Sequence, residues 1–515
     1  MIKQERRNLP DNDSPFHQPP VAKVGRMAAR SAKWALLSMA LRQTAMLGST
    51  VIVARLITPG DTGVATIALT IMAFVVLLDT GLTWATVQPR DLSKAQIDGL
   101  FWLGVLIGGG LWGLCALSGA PLAAFFGVPP LAVVMPVIGL ATFFNSLSTQ
   151  PAALMKRRLQ QKRVMLIESL GILIGSVTAI ATALAGGGYW ATVLQFVAIH
   201  ATRTLLFASM TSYRPSAPQI PRASWHLARL GATFALSNYI SFFQLYLGSL
   251  MVAKLFGAVD LGYYARANAV KVMPAQYATM VVTDVMVASL AALRADPDRM
   301  AAAYRKALGM TALVGCPAGA FIFAAAPELI GILYGPKWEN AVPMLRAFGV
   351  AAVALPITTT TIWLFLATAQ ARTQLIMNAI LTALIAIIFA VGAAVNRTAT
   401  DFVLLESIVS ATLLLGVNII ISHRAAGLPL SATLRVVLPI VAASKVAAAT
   451  TILAVGAGGW LGEFWANITS AGIKAIVFTS TYACIMFLAL ILIPELVPIR
   501  NTLISAMGRQ PPRQH

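Results

Sequence analysis

Residues 54–63 read Ala54-Arg55-Leu56-Ile57-Thr58-Pro59-Gly60-Asp61-Thr62-Gly63, a short charged turn between two long apolar runs. The pattern returns as Ala253-Lys254-Leu255-Phe256-Gly257-Ala258-Val259-Asp260-Leu261-Gly262, at a constant offset of 199 residues. In each copy a basic residue closes one apolar run and an Asp-x-Gly opens the next. An echo of this kind marks a duplicated unit, so the chain reads as two related halves.

Composition says what surrounds those halves. Of 515 residues, 58% are hydrophobic and 11% charged, with a mean hydropathy of +0.77. Soluble domains carry roughly 25% charged residues. A deficit spread along the whole length describes a polytopic membrane protein. The net charge of +20 is not that of a nucleic-acid binder, because the bases lie mainly between apolar runs, where they set topology. Cys115, Cys316 and Cys484 each stand alone in an apolar run, with no CxxC, and read as small buried hydrophobes.

A membrane span needs about 20 apolar residues, and the chain holds about fourteen such stretches. The expected fold is all-α, with about 14 transmembrane helices in two six-helix lobes and an appended pair. Residues 1–33 read as a cytoplasmic segment, partly disordered, and end in a basic face at Lys23, Arg26, Arg30 and Lys33. Then follow an N-lobe over 34–209, a Pro-rich cytoplasmic linker over 210–230 and a C-lobe over 231–421. A cytoplasmic loop over 422–435, spans thirteen and fourteen within 436–493 and a tail over 494–515 complete the chain. Pro136 and Pro274 fall inside spans and predict kinks there. With the N-terminus inside, twenty-seven lysines and arginines fall on the cytoplasmic side and four outside. The positive-inside rule therefore places both termini in the cytoplasm. Outside loops are short, the longest being residues 327–341. A second echo, Leu122–Gly127 before span four and Ile330–Gly335 before span ten, extends the duplication at a slightly larger offset.

Charges inside spans are the candidate functional residues, since each costs about 2.5–3.5 kcal/mol at a helix centre on insertion scales. Seven bases lie there: Arg42, Arg203, Lys254, Lys271, Arg346, Lys445 and Lys474. Four acids are comparably placed, Asp79, Glu168, Asp284 and Glu406. The acids cannot neutralise all the bases, so the surplus must snorkel, face a watery cavity or meet an anion. Arg42, Lys271 and Arg346 are candidates to line a cavity; Lys254 and Arg203, near span ends, could equally snorkel. Lys445 and Lys474, on the appended pair, read as structural. Ser237, Ser241, Gln244 and Gly248 form one stripe of span seven, and Asn268 shares a face of span eight with Lys271. Helix–helix hydrogen bonding is the competing reading for the stripe. Glu168, Asp284 and Glu406 are candidate proton or cation sites, with structural pairing to the bases as the alternative.

Enzyme motifs fail. Gly108-x-Gly110-x-x-Gly113 matches a dinucleotide fingerprint but follows no strand, and reads as a small-residue helix-packing face. There is no GxxxxGK[ST], and the five histidines show no metal spacing. No cofactor is implied.

Several short motifs carry a resemblance. The 54–63 stretch, Asp79-Thr-Gly-Leu82, Gln88-x-Arg90-Asp91-Leu92, Lys156-Arg-Arg-Leu159, Gly188-Tyr-Trp-Ala191, Gly262-Tyr-Tyr264 and Gly335-x-Lys-Trp338 occur in order. Over about residues 34–425 they resemble the polysaccharide-transporter family of the multidrug/oligosaccharidyl-lipid/polysaccharide exporter superfamily, nearest its Wzx-like colanic-acid-exporter type. A proline expected near Met286–Leu290 is missing. The resemblance implies a bacterial inner-membrane flippase with two lobes around a central cavity, alternating between inward-open and outward-open states. Its cargo would be an undecaprenyl-pyrophosphate-linked oligosaccharide, and polysaccharide polymerase and co-polymerase proteins would be its partners. Surplus buried positive charge suits a pyrophosphate. The competing readings are a multidrug or cation antiporter, a peptidoglycan-precursor flippase, and a membrane polymerase or ligase. The last would need a large outside loop.

Overall fold

In a bilayer a lone apolar run must satisfy its own backbone hydrogen bonds, and only a helix does so within one segment. The computed structural model describes residues 39, 41–87, 92–158, 160–218, 221–280, 282–395, 397–454 and 463–506. Every regular element among them is helical. Ten of the described helices are long and apolar enough to cross a membrane. The N-terminal segment and its basic face lie outside the described residues, as do the side chains of Asp79, Ser237, Ser241 and Asp284.

Two compact units divide the chain at Gly262/Tyr263. The first holds α1 (41–56), α2 (Pro59–Val87), α3 (Lys94–Phe126), α4 (Leu131–Arg157), α5 (Gln161–Leu184) and α6 (Trp190–Met210). It also holds the first part of α7 (Arg222–Met280), a helical stretch broken at Gly257, where φ is 85°. The first arm of α7 belongs here through a ring cluster: Phe74 of α2 meets Phe242, Phe243 and Tyr246.

In the first unit α4 is central and packs on α2, α3 and α6. Its approach to α3 runs along Gly108, Cys115 and Gly119. A methyl on Gly108 would fall 2.5 Å from Ser146 Cβ, and one on Gly119 would fall 2.8 Å from the Ala132 carbonyl oxygen. Gly110 and Gly113 do not share in this, because both face open space. The expected packing face is thus one glycine of the three, continued at i+7 and i+11 rather than along the fingerprint. α3 runs through Gly119 and Pro121 to Phe126, and Gly127 (φ 68°) makes the turn.

The opening motif is a helix start. Thr58 and Asp61 form a reciprocal cap: the Asp61 N–H donates to Thr58 Oγ1 (3.1 Å), and the Thr58 N–H donates to Asp61 Oδ2 (3.1 Å). Asp61 Oδ1 also accepts from the Tyr189 N–H at 3.2 Å. The 54–63 and 188–191 motifs thereby become one structure. The two copies of the repeat, moreover, lie against each other. A methyl on Gly63 would sit 1.7 Å from the Ala258 carbonyl oxygen, and one on Gly262 would sit 1.9 Å from that of Pro59. The 199-residue offset carries 59 to 258 and 63 to 262, so the contact is reciprocal, like an isologous interface. Only glycine allows backbones this close.

Basic side chains cap other helix ends here. Lys254 donates to the Phe125 carbonyl in the last turn of α3, with its ammonium over the Phe125 ring. Arg157 is buried and donates to the Thr86 carbonyl at 3.0 Å, in the last turn of α2. Both cations meet the negative end of a helix dipole. After α6 the chain is pinned: Asp98 accepts from Tyr213 Oη (2.7 Å) and from the Ser216 N–H (3.3 Å), and Trp102 Nε1 donates to the Ser216 carbonyl. Burial and the neighbouring Asp98 raise the Tyr213 pKa, which keeps its hydroxyl a donor. The first half of the expected linker is therefore docked, and α7 is already helical from Arg222.

The second unit holds the end of α7, then α8 (Thr283–Ala292), α9 (Pro297–Ala324), α10 (Ala326–Leu333) and a 3-10 turn (Pro336–Trp338). After these come α11 (Ala341–Ala367), α12 (Ala371–Val395), α13 (Ala399–Val409), α14 (Leu415–Ala426), α15 (Leu430–Ala454), α16 (Glu463–Leu492) and α17 (Val497–Ala506). A π-helical segment, Ser410–Leu414, joins α13 to α14. α9 and α11 are the most buried spans. α11 is the fourth span of the second half, as α4 is of the first, so the duplication extends to which helix is central. Gly127 and Gly335, the ends of the second sequence echo, both have positive φ, 68° and 87°.

Three expectations change here. The region 327–341 is not an extended loop but contains α10 and the 3-10 turn. The segment after 493 carries α17, whose Ile499 is buried against α9 and α15. Cys484 is exposed, whereas Cys115 and Cys316 are buried as expected; α16 turns that edge away from its neighbours. Pro136 and Pro274 lie within continuous helix.

Candidate functional site

The second unit gathers the best-developed cluster of buried charge. Tyr264, Asn268 and Lys271 follow one another at i, i+4 and i+7 on the second arm of α7, so one face carries all three. Opposite, α13 supplies Glu406. Tyr264 Oη donates to both carboxylate oxygens of Glu406 (3.0 and 3.1 Å), and Lys271 Nζ lies 3.8 Å from Oε1. The ammonium also sits 3.9 Å from the centre of the Phe348 ring of α11. The acid is thus held by a neutral donor and by a cation shared with an aromatic face. One turn beyond Glu406 the helix widens into the π segment, a distortion that recurs at functional sites. Ser407 is buried there, with a hydroxyl that makes no hydrogen bond.

A second base lies on the opposite face of the same helical arm. Arg266 places its guanidinium 5.6 Å from the Tyr334 ring and 5.5 Å from the Trp338 ring, and its Nε makes no hydrogen bond. Tyr263 meets Trp338 edge-on and its hydroxyl accepts from Asn340. The Gly262-Tyr-Tyr264 and Gly335-x-Lys-Trp338 motifs are therefore two walls of one structure. The fold sets Arg266 in an aromatic cradle.

The first unit has its own cluster. Arg203 of α6 pairs with Glu168 of α5 at 2.8 Å, both side chains about one-fifth exposed. Arg42 lies on the α1 face that carries Ala45 and Ser49. Those residues meet α5 and α6, through Ser176 with the Ala45 carbonyl and Gln195 with Ser49. Arg42 itself forms no ion pair among the described residues. Glu168 and Glu406 thus each pair with one base, while Arg42 and Arg266 form no ion pair among the described residues; Asp98 and Glu328 are further buried acids, held in networks of their own.

The remaining sequence candidates divide clearly. Glu406 with Lys271 and Glu168 with Arg203 are brought together, the structural pairing held open as the alternative. Arg346 and Lys445 are exposed, and Gln244 and Asn268 are partly buried. Lys254 is a helix cap. Lys474 is paired as expected for a structural base: it donates to Glu328 Oε1 at 2.6 Å, and Ser470 donates to the same oxygen at 2.7 Å. Sequence reasoning missed Glu328 because it sits in a region read as a loop. It also missed Tyr264, although extending the Asn268–Lys271 stripe by one turn reaches it. No three His, Cys, Asp or Glu side chains converge on a metal position among the described residues.

Ten apolar helices long enough to cross a membrane, with ion pairs buried among the described spans, describe an all-α polytopic membrane protein. The lipid II flippase MurJ in an inward closed conformation superposes with a TM-score of 0.70 at 15% identity, covering 88% of this chain and 99% of that one. An inward-facing multidrug resistance MATE family transporter gives 0.60 at 15% identity, covering 76% and 98%. The chain belongs to the polysaccharide biosynthesis protein family, whose model matches residues 52–343. It is 24% identical over 322 residues to the lipopolysaccharide biosynthesis protein WzxC of Escherichia coli (strain K12), covering 61% of this chain and 65% of that protein. It is 22% identical to the succinoglycan biosynthesis transport protein ExoT of Rhizobium meliloti (strain 1021), covering 61% and 64%. The match therefore spans just under two thirds of the length of these two relatives.

Proposed function

We propose that the protein is a flippase for polyprenyl-pyrophosphate-linked oligosaccharides in bacterial polysaccharide biosynthesis. The observation that carries this is the surplus of positive charge inside each unit, set in a family of polysaccharide biosynthesis proteins. Arg42 and Arg203 exceed Glu168 in one unit, and Lys271 and Arg266 exceed Glu406 in the other. Guanidinium and ammonium groups held away from bulk water suit a pyrophosphate, whose negative charge they would neutralise. The names of MurJ and ExoT agree with a carrier of this kind.

In this reading the head group and sugar cross past these cations while the lipid tail stays in the bilayer. No bond in the cargo is made or broken. The Glu406–Tyr264–Lys271 cluster is the coupling element. A proton or cation taken up at Glu406 would loosen its hold on Lys271 and free that ammonium for the pyrophosphate, linking ion entry to cargo binding. The site lies in the inner membrane with both termini in the cytoplasm, and a polymerase on the outer side would consume the product.

Reconstitution of the purified chain in proteoliposomes with fluorescent lipid-linked oligosaccharide tests this. Label should become accessible to an impermeant quencher faster than in protein-free vesicles. Efflux of organic cations without movement of the labelled lipid would replace this reading with the antiporter.

A further inference from the structure

The second unit has a concavity that the charge clusters do not use. It is an open furrow of about 500 Å³ between α8 and α9. Val282 and Met286 form one wall; Ala303, Ala307, Met310 and Val314 form the other. Thr311 also lines it, but its hydroxyl already donates to the Ala307 carbonyl at 3.0 Å and asks for no ligand. Lys306 stands towards the end nearest the start of α9, exposed and in no ion pair among the described residues.

Two dimensions suggest an occupant. From Ala303 to Val314 the furrow follows α9 for about 16 Å at helical rise. One leaflet of a bilayer is about 15 Å of hydrocarbon deep. A cleft that no described side chain fills forfeits dispersion contacts along its lining unless a chain lies in it. Lys306 then marks where the head group would stand, on the side where the positive-inside count places the cytoplasm. The alanines at 303 and 307 keep the floor low, as a straight chain requires.

We propose that this furrow is a binding site for an acidic glycerophospholipid of the phosphatidylglycerol class, one acyl chain lying along α9 and the phosphate on Lys306. Basic pockets between spans on the cytoplasmic side are suited to anionic head groups. The site is separate from the cargo cations and would make activity depend on lipid composition.

The test is native mass spectrometry of the full chain released from nanodiscs of equal phosphatidylglycerol and phosphatidylethanolamine. Wild type should retain phosphatidylglycerol over phosphatidylethanolamine, and Lys306→Gln should lower that ratio about fivefold, the worth of one lysine near an anionic surface. Ala307→Phe, or Met310→Trp should the first not fold, should lose the retained lipid of both kinds. Arg299→Gln, whose side chain is exposed and paired with Asp296, should change nothing. An unchanged ratio in Lys306→Gln, full retention in the filled variants, or a polyprenyl phosphate as the retained lipid would overturn the proposal.

Discussion

Placing a methyl at Gly63 or Gly262 tests the reciprocal contact that joins the two copies of the repeat. In Gly63→Ala the new carbon would lie 1.7 Å from the Ala258 oxygen, 2.5 Å from its carbonyl carbon and 2.9 Å from its Cα. All three are backbone atoms, so no rotamer relieves the clash, and the helix starts must separate until the distance exceeds 3.0 Å. Overpacking of this kind costs roughly 1–3 kcal/mol, and immovable backbone puts it at the upper end. Alanine returns about 0.8–1 kcal/mol of helix propensity, leaving a net loss near 2 kcal/mol. Gly262→Ala should cost nearly the same, because its carbon meets the Pro59 oxygen at 1.9 Å. The double variant should cost little more than either single, because one separation makes room for both methyls. The expected coupling is about 1 kcal/mol or more. The assay is equilibrium unfolding in mixed micelles, with Gly110→Ala and Gly113→Ala as controls. Those glycines face open space, so the same substitution should be neutral or stabilising there. Additive losses at 63 and 262, or no loss at either, would refute the reciprocal packing.

Breaking the Lys474–Glu328 pair by Lys474→Met should destabilise the protein by roughly 3–5 kcal/mol, because a buried carboxylate loses its cation. Adding Glu328→Leu should recover most of that in the same unfolding assay. Thr58→Ala should cost about 1 kcal/mol through the lost cap on α2, read as a lower unfolding midpoint with export retained. Arg42→Ala and Lys271→Ala should each lower export in a cell-based polysaccharide assay, with membrane levels unchanged by immunoblot. Normal export in both variants would remove these residues from the cargo path.

The membrane class, the helical content, the duplication and the family were legible in the sequence. Each rests on a property that accumulates along the chain: hydropathy over a span, a constant offset, an ordered set of motifs. Arg42, Lys271 and Glu406 were legible as charges out of place in apolar runs. Their partners were not. Lys271 meets Glu406 across a sequence separation of 135, and Arg203 meets Glu168 because Gly171 and Gly175 let α5 approach α6 closely. Arg157 looked like a topology marker until its burial beneath the end of α2 showed it to be a cap.

The opening stretch shows the division most plainly. Local chemistry alone dictates that Thr58 and Asp61 start a helix, because the cap is made within four residues. That Gly63 and Gly262 must both be glycine is a tertiary fact. The reason is a backbone from the other copy of the repeat, and no window along the sequence contains it.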